Sequence, residues 1–219
     1  MINPWLNLST ANNDFVATID IDYLHHYQLR RSAQKDDFKL VTSVVPEPWC
    51  GPLLNARVLV LSGNPHWDDR DSGLPELAHP RMRENLSGRE PIFWLDPSLI
   101  GTSGANWYRL KLLKNVLETC ESRKVAERLS LVDFVGYRSH RWDHSLRPPS
   151  QAFTINAVRE AIQRDAWIVV SRGRKLWIDV VPDLARYPRV LFNKSVQNVR
   201  LSLQNTGKVG FEAIVAELS

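Results

Sequence analysis

Amides, arginines, histidines and tryptophans are concentrated directly after four short apolar runs of this chain. GNPHWDDRD follows the first run, YRSHRWDHS the second, SRGRK the third and NKSVQNVR the fourth. An amide can orient a water or read a base edge, because it offers both donors and acceptors. Guanidinium groups favour phosphates, and indoles stack on bases. The candidate site residues in these segments are Asn64, His66, Trp67, Asp68, Tyr137, Arg138, Ser139, Arg172, Asn193, Lys194, Ser195, Gln197 and Asn198.

The four apolar runs predict buried, parallel β-strands. They begin near residues 56, 130, 166 and 189. One helical pattern lies between each run and the next, over 105–120, 150–165 and 173–179. A further helical pattern closes the chain. Right-handed crossovers would bring the carboxyl ends of all four strands to one edge, where open α/β sheets bind ligands. We therefore expect an α/β three-layer sandwich with a central four-stranded parallel sheet, and a ligand site in the loops that follow its strands.

Composition indicates an ordinary globular protein. The chain has 219 residues, 43% hydrophobic and 24% charged, with a formal net charge of +4. The two cysteines, Cys50 and Cys120, are far apart and in no zinc-binding spacing, which favours free thiols in a reducing compartment. We see no signal peptide and no apolar run long enough to cross a bilayer, so we expect a cytoplasmic protein without a membrane partner. We divide it into an N-terminal arm and helix, residues 1–45, and an α/β domain, residues 46–219.

The second polar segment also has the spacing of a metal site. His140, Asp143 and His144 would share one face of a helix, and with His66 and Asp68 or Asp69 they could form a metal-dependent hydrolase site. Pro148 and Pro149 indicate an irregular loop here, where such spacing means less. A phosphate-cradling glycine loop and a serine nucleophile elbow are both missing from the sequence.

From Pro46 to Asn205 the chain resembles a divergent, uncharacterised bacterial branch of the uracil-DNA glycosylase superfamily. SGNPHW follows the first core strand, where that family carries a Gly-X-Asp/Asn-Pro motif, and NKS follows the last, where one branch has His-Pro-Ser. PEPWCGP, PIFWLDP, GYRSHRW and SVQNVRLSLQN fit the same bacterial group. Asn193 and Lys194 depart from the family's His and Pro.

The resemblance implies a uracil-DNA glycosylase-like fold and a metal-free and cofactor-free site. Asn64, helped by Asp68, would position a water, and His66 or Trp67 would stack on the base. Asn193 or Ser195 would contact the departing base or a phosphate.

We therefore expect a glycosylase-like hydrolase acting on a nucleobase in DNA. Two alternatives stay open: a non-catalytic module of the same fold that binds nucleic acid or a nucleotide, and the metal-dependent hydrolase.

Overall fold

The computed structural model describes residues 2–11, 14–30, 35–68, 74–91, 93–195 and 197–219. Its main sheet has the strands β3 (Trp49–Cys50), β4 (Val58–Ser62), β5 (Leu129–Asp133), β6 (Trp167–Val170) and β7 (Val190–Phe192), in the order β3-β5-β4-β6-β7. β3 is antiparallel to β5, and the other neighbours are parallel. The strands β1 (Leu8–Ser9) and β2 (Val16–Ala17) form a separate antiparallel pair.

The four predicted parallel strands are thus confirmed, and the sheet has a fifth strand that we did not predict. β4 and β5 are buried at every position, so both faces of the sheet are covered. This explains why these runs are continuously apolar instead of alternating with polar residues. The coarse fold class, α/β with a mostly parallel sheet, is confirmed. The expected four-stranded sheet is corrected to five strands.

Helices occupy most of the connections between the strands. The α-helices are α1 (Ile21–Gln28), α2 (Leu74–Leu86), α3 (Ser103–Asn106), α4 (Ser122–Arg128), α5 (Gln151–Gln163), α6 (Arg174–Val180), α7 (Leu203–Thr206) and α8 (Lys208–Leu218). A π-helical segment, Trp107–Leu112, continues directly from α3. The predicted regular helix over 105–120 is therefore replaced by the end of α3, the π-helical segment and turns, whereas the other three predicted helices are found.

The N-terminal segment packs tightly on the rest of the chain. Trp5 is 2% exposed, and its ring centroid lies 5.5 Å from that of Tyr137. The Tyr137 hydroxyl donates to Asp20 Oδ2 at 2.6 Å, and the Ser150 backbone N–H donates to Asp20 Oδ1 at 2.8 Å. Asp20 thus accepts a backbone hydrogen bond at the amino end of α5. The expected arm is an integral part of the packing.

Two further expectations concern the cysteines and the membrane. Cys50 and Cys120 are both buried and free. Within the described ranges, no helix has the length and apolarity that a membrane span requires.

Candidate functional site

A cavity of about 240 Å³ opens at the carboxyl edge of the sheet. Ser62 and Asp133, the last residues of β4 and β5, line it together with Arg172, which follows β6. β4 lies between β5 and β6, so the chain first steps to one side of β4 and then crosses to the other. Such a reversal separates the flanking connections and leaves a crevice at the strand ends. The cavity occupies that crevice.

Three aromatic side chains form one wall of the cavity. They are Trp94, Trp107 and Tyr108. The last two lie at the start of the π-helical segment, a local geometry that is frequent at functional sites. α3 approaches Trp94 closely at Gly104, where an added Cβ would lie 2.5 Å from the indole. The wall offers flat apolar surfaces on which a planar ligand can stack.

Buried charged groups also line the cavity. Arg138 donates from Nη2 to Glu47, and Trp94 Nε1 donates to Glu47 Oε1 at 2.6 Å. Glu47 and Arg138 are each 5% exposed, so this ion pair is removed from water. Burial raises the pKa of Glu47, and the adjacent Arg138 opposes that shift. Glu47 enters the site from the PEPW segment, which the β3–β5 pairing holds beside β5.

Asp133 is a second buried acid beside this ion pair. It is 3% exposed, and its Oδ1 has no hydrogen-bond partner among the described residues. Burial, followed by the like charge of Glu47, raises the pKa of Asp133 well above its usual value. One buried guanidinium cannot compensate two buried carboxylates, and Glu47 already holds Arg138. Protonation of Asp133 would relieve this excess of negative charge and would let the carboxyl group give a hydrogen bond to a ligand.

Asn64 lies at the mouth of the cavity, and the neighbouring loop orients its side chain. Its Nδ2 donates to Ser139 Oγ at 2.9 Å and to the Pro65 carbonyl at 3.2 Å. The loop after β4 is tied to the loop after β5 by two more bonds. Arg138 Nη1 donates to the His66 carbonyl at 3.0 Å, and the Trp67 N–H donates to the Ser139 carbonyl at 3.2 Å. The two loops therefore form one rigid rim.

The predicted site residues divide into two groups. Asn64, His66, Asp68, Arg138 and Arg172 line the cavity, as the common strand edge predicts. Trp67, Tyr137 and Ser139 do not, although they belong to the same two loops. Trp67 is half-buried against the core, Tyr137 is 1% exposed with its hydroxyl held by Asp20, and Ser139 is 3% exposed.

The predicted residues after β7 are also outside the cavity lining. β7 is two strands from β4, a lateral distance of about 10 Å at usual strand spacing. The segment is held by local bonds: Asn193 Nδ2 donates to the Asn198 carbonyl at 3.5 Å, and the Asn198 N–H donates to Ser195 Oγ at 3.2 Å. Lys194, Gln197 and Asn198 are exposed.

Five of the cavity's principal side chains were not predicted as site residues. They are Glu47, Trp94, Trp107, Tyr108 and Asp133. Asp133 carries a readable signal, since it is an acid at the carboxyl end of an otherwise apolar strand. Glu47 carries a weaker signal, an acid between two prolines, and the three aromatic residues resemble ordinary core residues in the sequence.

The metal-site hypothesis finds no support in the geometry. Over the described ranges, no group of three His, Cys, Asp or Glu side chains comes together in a way that could hold a metal ion. The rings of His66 and His140 have centroids 6.3 Å apart, and the ring of His144 packs on Trp142 at 4.5 Å. Asp69 lies outside the described residues.

Only some of the cationic side chains that follow the strands are available to a ligand. Arg172, Lys175 and Lys194 are exposed. Arg138, in contrast, is consumed by its buried ion pair, and Arg200 bonds to the Leu110 carbonyl at 3.2 Å. The exposed cations at the edge could contact phosphates outside the cavity.

Comparison of the chain with protein-family models, curated proteins and solved structures finds no match.

Proposed function

We propose that this protein is a glycosylase-like hydrolase that binds one nucleobase of DNA in the cavity and cleaves its bond to the sugar. The observation that carries the proposal is the meeting of three features in one cavity: an aromatic wall, a buried acid with an unpartnered oxygen, and an oriented amide at the mouth. The expected resemblance to uracil-DNA glycosylases agrees with this reading.

The size and lining of the cavity support a single base as ligand. Its volume corresponds to roughly eight water molecules at about 30 Å³ each, which is room enough for one nucleobase. Trp107 and Tyr108 would stack on the ring, as base-flipping enzymes require. Asp133 would give its hydrogen bond to the edge of the ring from a position that is itself buried.

The position of Asn64 supports hydrolysis at the cavity mouth. Both hydrogen bonds that it makes to described residues come from Nδ2, which leaves the carbonyl Oδ1 to accept a bond from a water. An amide cannot take the water's proton as a carboxylate does, so its contribution is to orient the water. Asp68 also lines the cavity and is the nearest candidate along the chain to assist it.

The test uses oligonucleotides that contain uracil, hypoxanthine, xanthine or mismatched thymine. Each is incubated with the protein and then heated in alkali, which breaks the strand where a base is lost. We expect breaks with at least one substrate, and their loss in Asn64→Ala because the water is no longer oriented. The matched control is Asn55→Ala, an exposed asparagine before β4 at the opposite edge of the sheet. Absence of breaks with every substrate, or breaks that persist in Asn64→Ala, would contradict the proposal.

A second candidate is a nucleic-acid or nucleotide-binding module of the same fold without chemistry. It is favoured by one observation, namely that no described residue of the segment after β7 lines the cavity. No described residue of that segment then joins Asn64 at the bond between base and sugar. Binding that weakens steeply with salt, without strand breaks, would identify this function.

A further inference from the structure

The Ser139 hydroxyl, together with the more distant Pro65 carbonyl, requires a donor from the side-chain amide of Asn64. A serine hydroxyl carries a single proton, and Ser139 donates it to the Arg141 carbonyl at 2.8 Å. Towards Asn64 the serine oxygen can therefore only accept. The group of Asn64 that faces it at 2.9 Å must be the donor, Nδ2. The carbonyl Oδ1 is the atom that remains for a ligand or a water.

Ser139 is itself firmly held and out of reach of a ligand. It is 3% exposed and does not line the cavity. Its carbonyl accepts from the Trp67 N–H, and it pairs with His66 as an isolated parallel bridge. Because these contacts join the same two loops, the hydroxyl and the amide keep a fixed relative position.

We propose that Ser139 is a positioning residue that sets the amide orientation of Asn64, so that Oδ1 is presented at the cavity mouth. Ser139, a candidate site residue in the sequence, would thus act through Asn64 and not by touching the ligand. The orientation of the Asn64 amide is a property of the protein without ligand. Only its effect on the rate of hydrolysis rests on the proposed function. With the amide reversed, Nδ2 would face the water, and a donor cannot accept the water's hydrogen.

The direct measurement is the side-chain amide signal of Asn64 in a ¹⁵N–¹H correlation spectrum, assigned by its disappearance in Asn64→Ala. We expect one Nδ2 proton to be shifted and protected from exchange by its bond to Ser139. In Ser139→Ala this protection should disappear, whereas Ser139→Thr, which keeps the hydroxyl, should preserve it. Ser139→Cys replaces the threonine variant if the added methyl group prevents folding.

The catalytic measurement uses any oligonucleotide that is cleaved in the assay above. Loss of one hydrogen bond should lower kcat in Ser139→Ala by roughly two- to tenfold and leave KM unchanged, because Ser139 does not touch the ligand. The hydroxyl-bearing variant should restore kcat. Melting curves report the fold of each variant separately.

The two proposals fail in different ways. An Asn64 amide signal that is the same in Ser139→Ala as in the unaltered protein overturns the positioning role, whatever the activity. An equal loss of kcat in the alanine and threonine variants also overturns it. If no oligonucleotide is cleaved, the proposed hydrolysis fails, and the amide spectrum still decides the role of Ser139.

Discussion

Replacing Asp133 with asparagine should change how the stability of this protein depends on pH. The carboxyl group is buried beside Glu47, and its pKa is raised well above the usual value by burial and by that like charge. A raised folded-state pKa means that the folded protein holds this proton more tightly than the unfolded chain does. The stabilising contribution of Asp133 is thus fully present below its unfolded-state pKa and is lost as the pH rises through the folded-state pKa.

The size of the effect follows from proton linkage. Between the two pKa values, one group lowers the free energy of unfolding by at most about 1.4 kcal/mol per pH unit as the pH rises. For a chain of this length, 1 kcal/mol shifts the melting temperature by roughly 2–4 °C. The slope is therefore at most about 3–6 °C per pH unit. Because Glu47 and Asp133 interact, the pH range belongs to the pair.

Asparagine has nearly the same shape and stays neutral at every pH, so Asp133→Asn should flatten the profile. We expect the difference in melting temperature, variant minus unaltered protein, to rise with pH. Thermal melts from pH 5 to 9, a range of roughly four units, measure it. Asp183→Asn, which removes an exposed acid outside the cavity, is the control and should give parallel profiles. Parallel profiles for Asp133→Asn as well would refute the reasoning.

Two further changes test the buried polar contacts. Arg138→Met should lower the free energy of unfolding, measured in urea, by about 3–5 kcal/mol, because it leaves Glu47 buried without a cation. The double variant Glu47→Gln/Arg138→Met should recover most of this loss. A loss under about 1 kcal/mol in the single variant would show that the pair is not desolvated. Tyr137→Phe removes the hydroxyl that donates to Asp20 and accepts from the Ala17 N–H, so it should cost about 1–3 kcal/mol and speed limited proteolysis of the N-terminal segment. Digestion at the rate of the unaltered protein would contradict that role of Tyr137.

The strands were predictable because burial on both faces leaves a direct trace in the sequence. β4 and β5 are apolar or small at nearly every position, and their burial is complete. β3 leaves no such trace, since a strand of two residues is too short to show a period. The region after α3 misled the helix prediction for a different reason. Leucines spaced three and four apart indicate an α-helix, but the Leu113 N–H donates to the Tyr108 carbonyl five residues back, which makes a π-helical turn.

The same logic explains which site residues were found. Asn64 and Arg172 follow parallel strands, so topology alone brings them to one edge. Glu47 and Trp94 come from connections between elements, whose paths no strand rule predicts. Their mutual bond depends on the antiparallel strand β3 and on the turn Phe93–Leu95, neither of which the sequence pattern indicates.

The separation between β4 and β7 constrains what the segment after β7 can do. The resemblance assigns Asn193 or Ser195 to the departing base or to a phosphate. Asn193 lies two strand spacings, about 10 Å, from β4 and does not line the cavity. A base in the cavity would therefore meet the residues that follow β4, β5 and β6 first. A phosphate lies farther from the base along the nucleotide, and the exposed Lys194 has the charge to bind it. If this chain acts on DNA as proposed, the segment after β7 would hold the backbone, and the groups that read the base would be those that line the cavity.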